Sequence, residues 1–172
     1  MNADAALDLG ANDGYFSKIM AERGIQVIAV DGDSRSISAL YEEGNKNILS
    51  LVMDVANPSP STGFNNAERP AFHQRIKTGV VVALALIHHL VIGRNIPLEK
   101  LAAWFSDISK QLIIEFIPRE DEKVQQMLAS RKDVFGAYTS GNFERIFNEY
   151  FDIKHKESVP GTTRVIYLME KR

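Results

Sequence analysis

The sequence predicts an α/β fold: a doubly wound, mostly parallel seven-stranded sheet that ends in an antiparallel hairpin. Three observations predict it. Short apolar runs alternate with amphipathic stretches along the chain, and the first three runs each carry an aspartate at or near their ends, Asp8, Asp31 and Asp54. The last two runs are joined around Pro160-Gly161 by a link too short for a crossover helix, so they should pair antiparallel. With 172 residues the chain is long enough for one such sheet and its core and too short for two ordinary domains, so residues 1–172 are expected to form one domain.

The stretch Ala5-Ala6-Leu7-Asp8-Leu9-Gly10-Ala11-Asn12-Asp13-Gly14-Tyr15-Phe16-Ser17 reads as strand, tight turn and helix. Gly10 lets the backbone leave the strand where a side chain would collide with a bound molecule, and Gly14 is expected to let the first helical turn pack close to the sheet. Tyr15, Phe16, Ile19 and Met20 form the stripe of a helix with one buried face, which Arg23-Gly24 ends. Gln26 to Asp31 is β-branched and apolar, as a central parallel strand covered on both faces should be. Ser34 is expected to cap a helix running through Ile37 and Leu40 to about Glu43, and Asn47 to Asp54 is the third strand.

Val55 to Thr78 holds Pro58, Pro60, Gly63, Asn65, Asn66 and Pro70, and is expected to be a long loop with one short helix around Phe72 to Ile76. Gly79 to Leu86 is a buried strand with Ile87-His88-His89-Leu90 at its carboxyl end. Pro97 sits near the start of a helix with the stripe Leu98, Leu101, Ala102 and Phe105. Gln111 to Ile117 is the fifth strand, stopped by Pro118. Helices over Asp121 to Ala129 and Asn142 to Tyr150 follow, and the strands Phe151 to Lys154 and Arg164 to Met169 close the sheet.

Composition narrows the function. Apolar residues at 45% and charged residues at 24% are those of a globular domain, and a net charge of −2 with scattered Lys and Arg offers no basic footprint for a phosphate backbone, which argues against a nucleic-acid partner. The absence of cysteine removes disulfides, thiolate zinc sites and a Cys nucleophile. His, Asp and Glu do not fall at spacings typical of zinc sites, so no metal is expected. The most apolar run, Val80 to Ile87, is far shorter than a membrane span, and Met1-Asn2-Ala3-Asp4 has no basic leader, so a cytoplasmic location and no membrane partner are expected. Nothing in the sequence sets the oligomeric state.

The pattern Asp8-x-Gly10-x-Asn12-x-Gly14 resembles the first motif of class I S-adenosylmethionine-dependent methyltransferases, with Asn12 where many members have glycine. The likeness spans Ala5 to Met169 and implies their Rossmann-like fold, with the terminal hairpin separating it from a plain dinucleotide-binding sheet. It also implies S-adenosyl-L-methionine as cofactor. Asp8 and the Gly10 turn would approach its amino-acid portion, Asp31 would accept both ribose hydroxyls with Asp33 as the rival, and Asp54 with the Val55 amide would read adenine. Ala85 and Leu86 would line the pocket near the sulfonium. Leu86-Ile87-His88-His89-Leu90 is similar to the His-His-Leu after strand four in many small-molecule methyltransferases, which makes His88 and His89 candidate bases, with no ground in sequence for choosing between them.

Neighbouring families fit less well. The turn Asp8-Leu9-Gly10-Ala11 with Phe16-Ser17 also resembles the ribosomal RNA 2′-O-methyltransferases, but Leu86-Ile87-His88 stands where their catalytic aspartate belongs. Asn57-Pro58 follows the third strand rather than the fourth, unlike the Asn-Pro-Pro-Tyr motif of amino-group methyltransferases. A further resemblance is to methyltransferase-like proteins associated with nodulation. The expected activity is methyl transfer to an oxygen or nitrogen of a small-molecule acceptor. The alternatives are a non-catalytic S-adenosylmethionine-binding regulatory or assembly module and an NAD-dependent oxidoreductase, against which the glycine spacing counts. Because the first strand begins so near Met1, a segment that covers cofactor or binds substrate in the family is expected to be missing here.

Overall fold

In the computed structural model the described residues are 4–76 and 78–172; the leaderless start read at Met1-Asn2-Ala3, and Lys77 in the long loop, lie outside them. The strands are β1 (Ala5–Leu9), β2 (Gln26–Asp31), β3 (Ile48–Val52), β4 (Val80–Ala83), β5 (Gln111–Phe116), β6 (Phe151–Ser158) and β7 (Val165–Lys171). They form one seven-stranded sheet in the order β3-β2-β1-β4-β5-β7-β6. The helices are α1 (Tyr15–Ala21), α2 (Ser34–Glu42), α3 (Phe72–Arg75), α4 (Leu98–Ile108), α5 (Glu122–Ala129) and α6 (Ser140–Phe147). The mixed sheet with its terminal hairpin is the predicted fold class. The chain divides into two compact units, Met1–Val82 and Ala83–Arg172.

In the first unit β1 is central, paired in parallel with β2 on one side and β4 on the other. Strand order reverses there, and the space beyond the carboxyl ends of strands at such a reversal is where open α/β sheets bind ligands. The register sets Asp8 opposite Ala29 and Asp31 opposite Val52, so Asp31 ends its strand while Asp8 lies one residue inside β1. Above this end, Leu40 of α2 is buried with Ala11 and Ala29.

Two local readings need correction. Tyr15 and Phe16 are 61% and 45% exposed, and the buried residues of α1 are Ser17 and Ala21. Small side chains let this helix lie close to its support, so the aromatic pair at its start faces water instead. The cap of α2 is Asp33, which accepts the Arg35 amide, with Ser34 the first helical residue. A carboxylate is as good a cap as a hydroxyl.

The second unit is built on an aromatic core. Phe143 of α6 lies 4.9 Å from Phe116, 4.3 Å from Phe147 and 5.1 Å from Tyr167, measured between ring centroids. β7 pairs antiparallel with both β5 and β6, which is the predicted hairpin, and the hairpin strands run on to Ser158 and Lys171, beyond their predicted ends. The expected stripe of α4 is buried, as are Phe143, Ile146 and Phe147 of α6. Between β4 and α4 lies a five-residue π-helix, His89–Gly93. Such wide turns are rare and collect at functional sites.

Candidate functional site

The turn after β1 is held by main-chain bonds to its neighbour: Gly10 and Ala11 both donate their N–H to Val30 O, at 2.8 and 3.0 Å. Gly10, Asn12 and Gly14 all have positive φ, of 76°, 49° and 76°. Asn12 is among the few side chains that tolerate this region, which is how it replaces a glycine here. Gly14 is needed twice over, for its φ and because a Cβ would lie 2.5 Å from Leu40 Cδ1. The close approach is therefore to α2, rather than to the sheet as the sequence suggested.

Asp31 organises this turn. Its Oδ2 accepts the Asn12 N–H at 2.9 Å and its Oδ1 accepts the Asp33 N–H at 2.8 Å. An ionised carboxylate has about four acceptor positions; two remain for a ligand. Asp33, the rival, is used as a cap: it accepts the Arg35 N–H and the Ser36 Oγ–H, and these hydrogen bonds, that from Ser36 foremost, hold its pKa below the usual carboxylate value. Ser36 Oγ also lies 3.0 Å from Asn12 Oδ1, tying α2 to the turn. Asp54 accepts the Ala56 N–H at 2.9 Å in a turn just past β3, and a Cβ on Gly32 would lie 4.0 Å from its Cα. Asp31 and Asp54 thus meet at one end of the first unit, with the half-buried Val55 beside them.

Asp8 behaves differently. It is 3% exposed, and its Oδ2 accepts a 2.6 Å hydrogen bond from Ser17 Oγ. Burial raises its pKa to about 6, the Ser17 hydrogen bonds oppose the rise, and the Asp31 charge adds to it. Of the three strand-end acids, then, Asp31 and Asp54 reach the rim, while Asp8 is held beneath it by α1.

In the second unit, Ala85 adopts φ 49°, unfavourable for a side chain with a Cβ. Glu115 of β5 holds it there: its Oε2 accepts the Ala85 N–H at 2.7 Å. The other oxygen of Glu115 lies 3.7 Å from Arg164 Nη1, and Arg164 forks onto Asp121, with Nε donating to Oδ2 at 2.8 Å. Leu86 is buried. His88 is 3% exposed and His89 is exposed, with their ring centroids 4.1 Å apart. Nδ1 of His88 is buried without a hydrogen-bond partner among the described residues. Burial, with the neighbouring His89 and Arg164, pushes the His88 pKa down to about 4, so the ring is neutral at pH 7.

Ser17, Ser36, Glu115, Asp121 and Arg164 escaped the sequence reading. Only Glu115 gave a signal, as a lone acid inside the apolar run Gln111 to Ile117. His73 and His155 are exposed, as read. Among the described residues no cluster of three His, Cys, Asp or Glu could hold a metal, and no helix is long and apolar enough to cross a membrane.

No family model matches the chain. Over 169 residues, 96% of its length, it is 38% identical to the nodulation protein NoeA of Rhizobium meliloti strain 1021, of which it spans 36%. Among solved structures it is similar to magnesium protoporphyrin IX methyltransferase from Synechocystis PCC 6803 with bound SAH, at TM-score 0.63 and 15% identity, covering 97% of this chain and 74% of that one. The fold is that of the class I methyltransferases. A second neighbour with this fold is the bifunctional kinase-methyltransferase WbdD, at TM-score 0.64 and 15% identity over 96% of this chain and 34% of that one. The class I methyltransferase fold and the likeness to a nodulation protein are the two resemblances that the sequence carried.

Proposed function

We propose that the chain is an S-adenosylmethionine-dependent methyltransferase domain acting on an oxygen or nitrogen of a small-molecule acceptor. The observation that carries this reading is Asp31, whose two oxygens are each fixed by one backbone N–H and each keep a lone pair for the cis hydroxyls of a ribose. Likeness to NoeA along nearly the whole chain supports it, although what the full-length protein does is not settled by a third of its length. The donor set of the first unit fits an adenosyl cofactor: Gly10, Asn12 and Gly14 bring backbone rather than side chains to the ligand, Asp31 takes the ribose, and Asp54 with Val55 takes the base. Asp8 shapes the turn through Ser17.

The bound cofactor supplies an electrophilic methyl group on sulfur. The chain has to align an acceptor for in-line displacement, exclude water and take a proton if the acceptor carries one. Of the two histidines, His88 suits the last task, because its ring is buried, neutral and short of one hydrogen-bond partner. Leu86, buried beside it, serves as apolar wall.

Thermal shift with S-adenosylhomocysteine and with NAD tests the reading, since a ligand specific to the native state raises its melting temperature. Stabilisation by S-adenosylhomocysteine alone is expected. In calorimetry, Asp31→Ala should weaken S-adenosylhomocysteine about ten- to a hundredfold, the equivalent of a charged hydrogen bond of about 1.5–3 kcal/mol. Equal stabilisation by NAD, or unchanged affinity in the variant, would overturn it.

A further inference from the structure

The second unit contains a cavity of about 570 Å³ lined by Ala85, His88, Lys123, Gln126, Met127 and Arg164, among others, a size that suits a small molecule. From this wall and its chemistry we infer that the cavity binds an uncharged molecule through a hydroxyl group seated on Nδ1 of His88; that this molecule is the methyl acceptor rests on the reading above.

Three observations lead there. A buried ring nitrogen without a partner costs free energy that a ligand hydrogen bond would recover, and Nδ1 of His88 is such an atom on a wall of this cavity. The ionic groups around it are already matched. Arg164 is bound to Asp121 and Glu115, and Lys123 offsets the second carboxylate, so two cations stand against two anions while the His88 ring is neutral. A ligand carboxylate or ammonium would enter with its charge uncompensated. Finally, a hydroxyl both donates and accepts, so it satisfies Nδ1 in either tautomer, which neither a carboxylate nor an ammonium does.

The walls are also fixed in advance. Glu115 clamps Ala85, and the π-helix His89–Gly93 begins at the residue after His88. Gln126 and Lys123 on α5 offer further polar contacts, and Met127 an apolar one.

Benzyl alcohol, benzoate and benzylamine present a neutral hydroxyl, an anion and a cation on the same ring. Titrated into ¹⁵N-labelled protein, they can be followed at the ring nitrogens of the four histidines by long-range ¹H–¹⁵N correlation. Benzyl alcohol should shift His88 selectively, and His88→Phe should weaken it about tenfold, one neutral hydrogen bond at a buried site. A larger response to benzoate or benzylamine, or no response of His88 to any probe, overturns the proposal; the titration on the unaltered protein decides even if the variant misfolds. S-Adenosylhomocysteine added to the same sample reports separately on the cofactor reading.

Discussion

The first unit's turn and the second unit's histidine cluster solve the same problem, holding polar groups in place near a ligand, by opposite means. Around Asp31 the partners are backbone N–H groups of Asn12 and Asp33. Around His88 they are side chains brought from far along the chain: Glu115 and Arg164 are 49 residues apart in sequence and share one carboxylate contact. The first arrangement is fully paired on its protein side, whereas the second leaves Nδ1 of His88 unmatched. A cofactor common to many enzymes can be met by a turn of fixed backbone geometry. An acceptor particular to one enzyme calls for side chains, which are easier to exchange.

The largest expected effect tests the side-chain half of this contrast. Glu115 is almost buried, and Glu115→Ala would leave the Ala85 N–H and part of the Arg164 charge without a partner. Unfolding in urea should show a loss of about 3–4 kcal/mol, in the range for breaking a buried ionic contact. Glu115→Gln keeps an oxygen for the Ala85 N–H and should lose only about half as much. If the two variants are equally unstable, the charge on Arg164 matters and the clamp on Ala85 does not.

The next effect belongs to Asp8, the one strand-end acid that is buried. Its native pKa of about 6 lies above the ordinary 3.8, so between these values the native state holds more protons than the unfolded state, and stability falls as pH rises through that window. The shift corresponds to at most about 3 kcal/mol. Asp33, Asp121 and Asp152 have lowered pKa values and act in the opposite sense. The informative quantity is therefore the stability of the wild type minus that of Asp8→Asn. It should fall between about pH 4 and pH 6 and be level above, and a flat difference would mean that Asp8 is ionised without penalty.

What could be read from sequence follows the same division. The strands, the hairpin and the Gly10-Asn12-Gly14 turn depend on periodicity and on local backbone chemistry, which neighbouring residues spell out. The placement of Asp31 at a strand end was legible for that reason. Its choice over Asp33 was not, because which of two nearby aspartates caps a helix depends on where α2 begins by a single residue. The exposed Tyr15 and Phe16 misled for a tertiary reason: periodicity marks an apolar face but does not say which face the sheet accepts, and Ser17 with Ala21 took it. Glu115, Asp121 and Arg164 meet only through the antiparallel pairing of β5 with β7 and the start of α5, so no local pattern announces them.

The smallest effect probes the backbone half. At Gly14 an alanine must adopt φ 76° and place its Cβ 2.5 Å from Leu40 Cδ1, in a packed cluster where Leu40 is 2% exposed. Left-handed backbone costs a residue with a Cβ about 1 kcal/mol, and overpacking adds a similar amount, so Gly14→Ala should lose about 2 kcal/mol in urea unfolding. The two contributions separate in a double-mutant cycle. In a Leu40→Ala background the overlap is gone, and Gly14→Ala should cost only the backbone part, a coupling of about 1 kcal/mol between the sites. Were the cost the same in both backgrounds, α2 would not be resting on the turn. The geometry of the Asn12–Asp31 corner would then depend on the backbone alone.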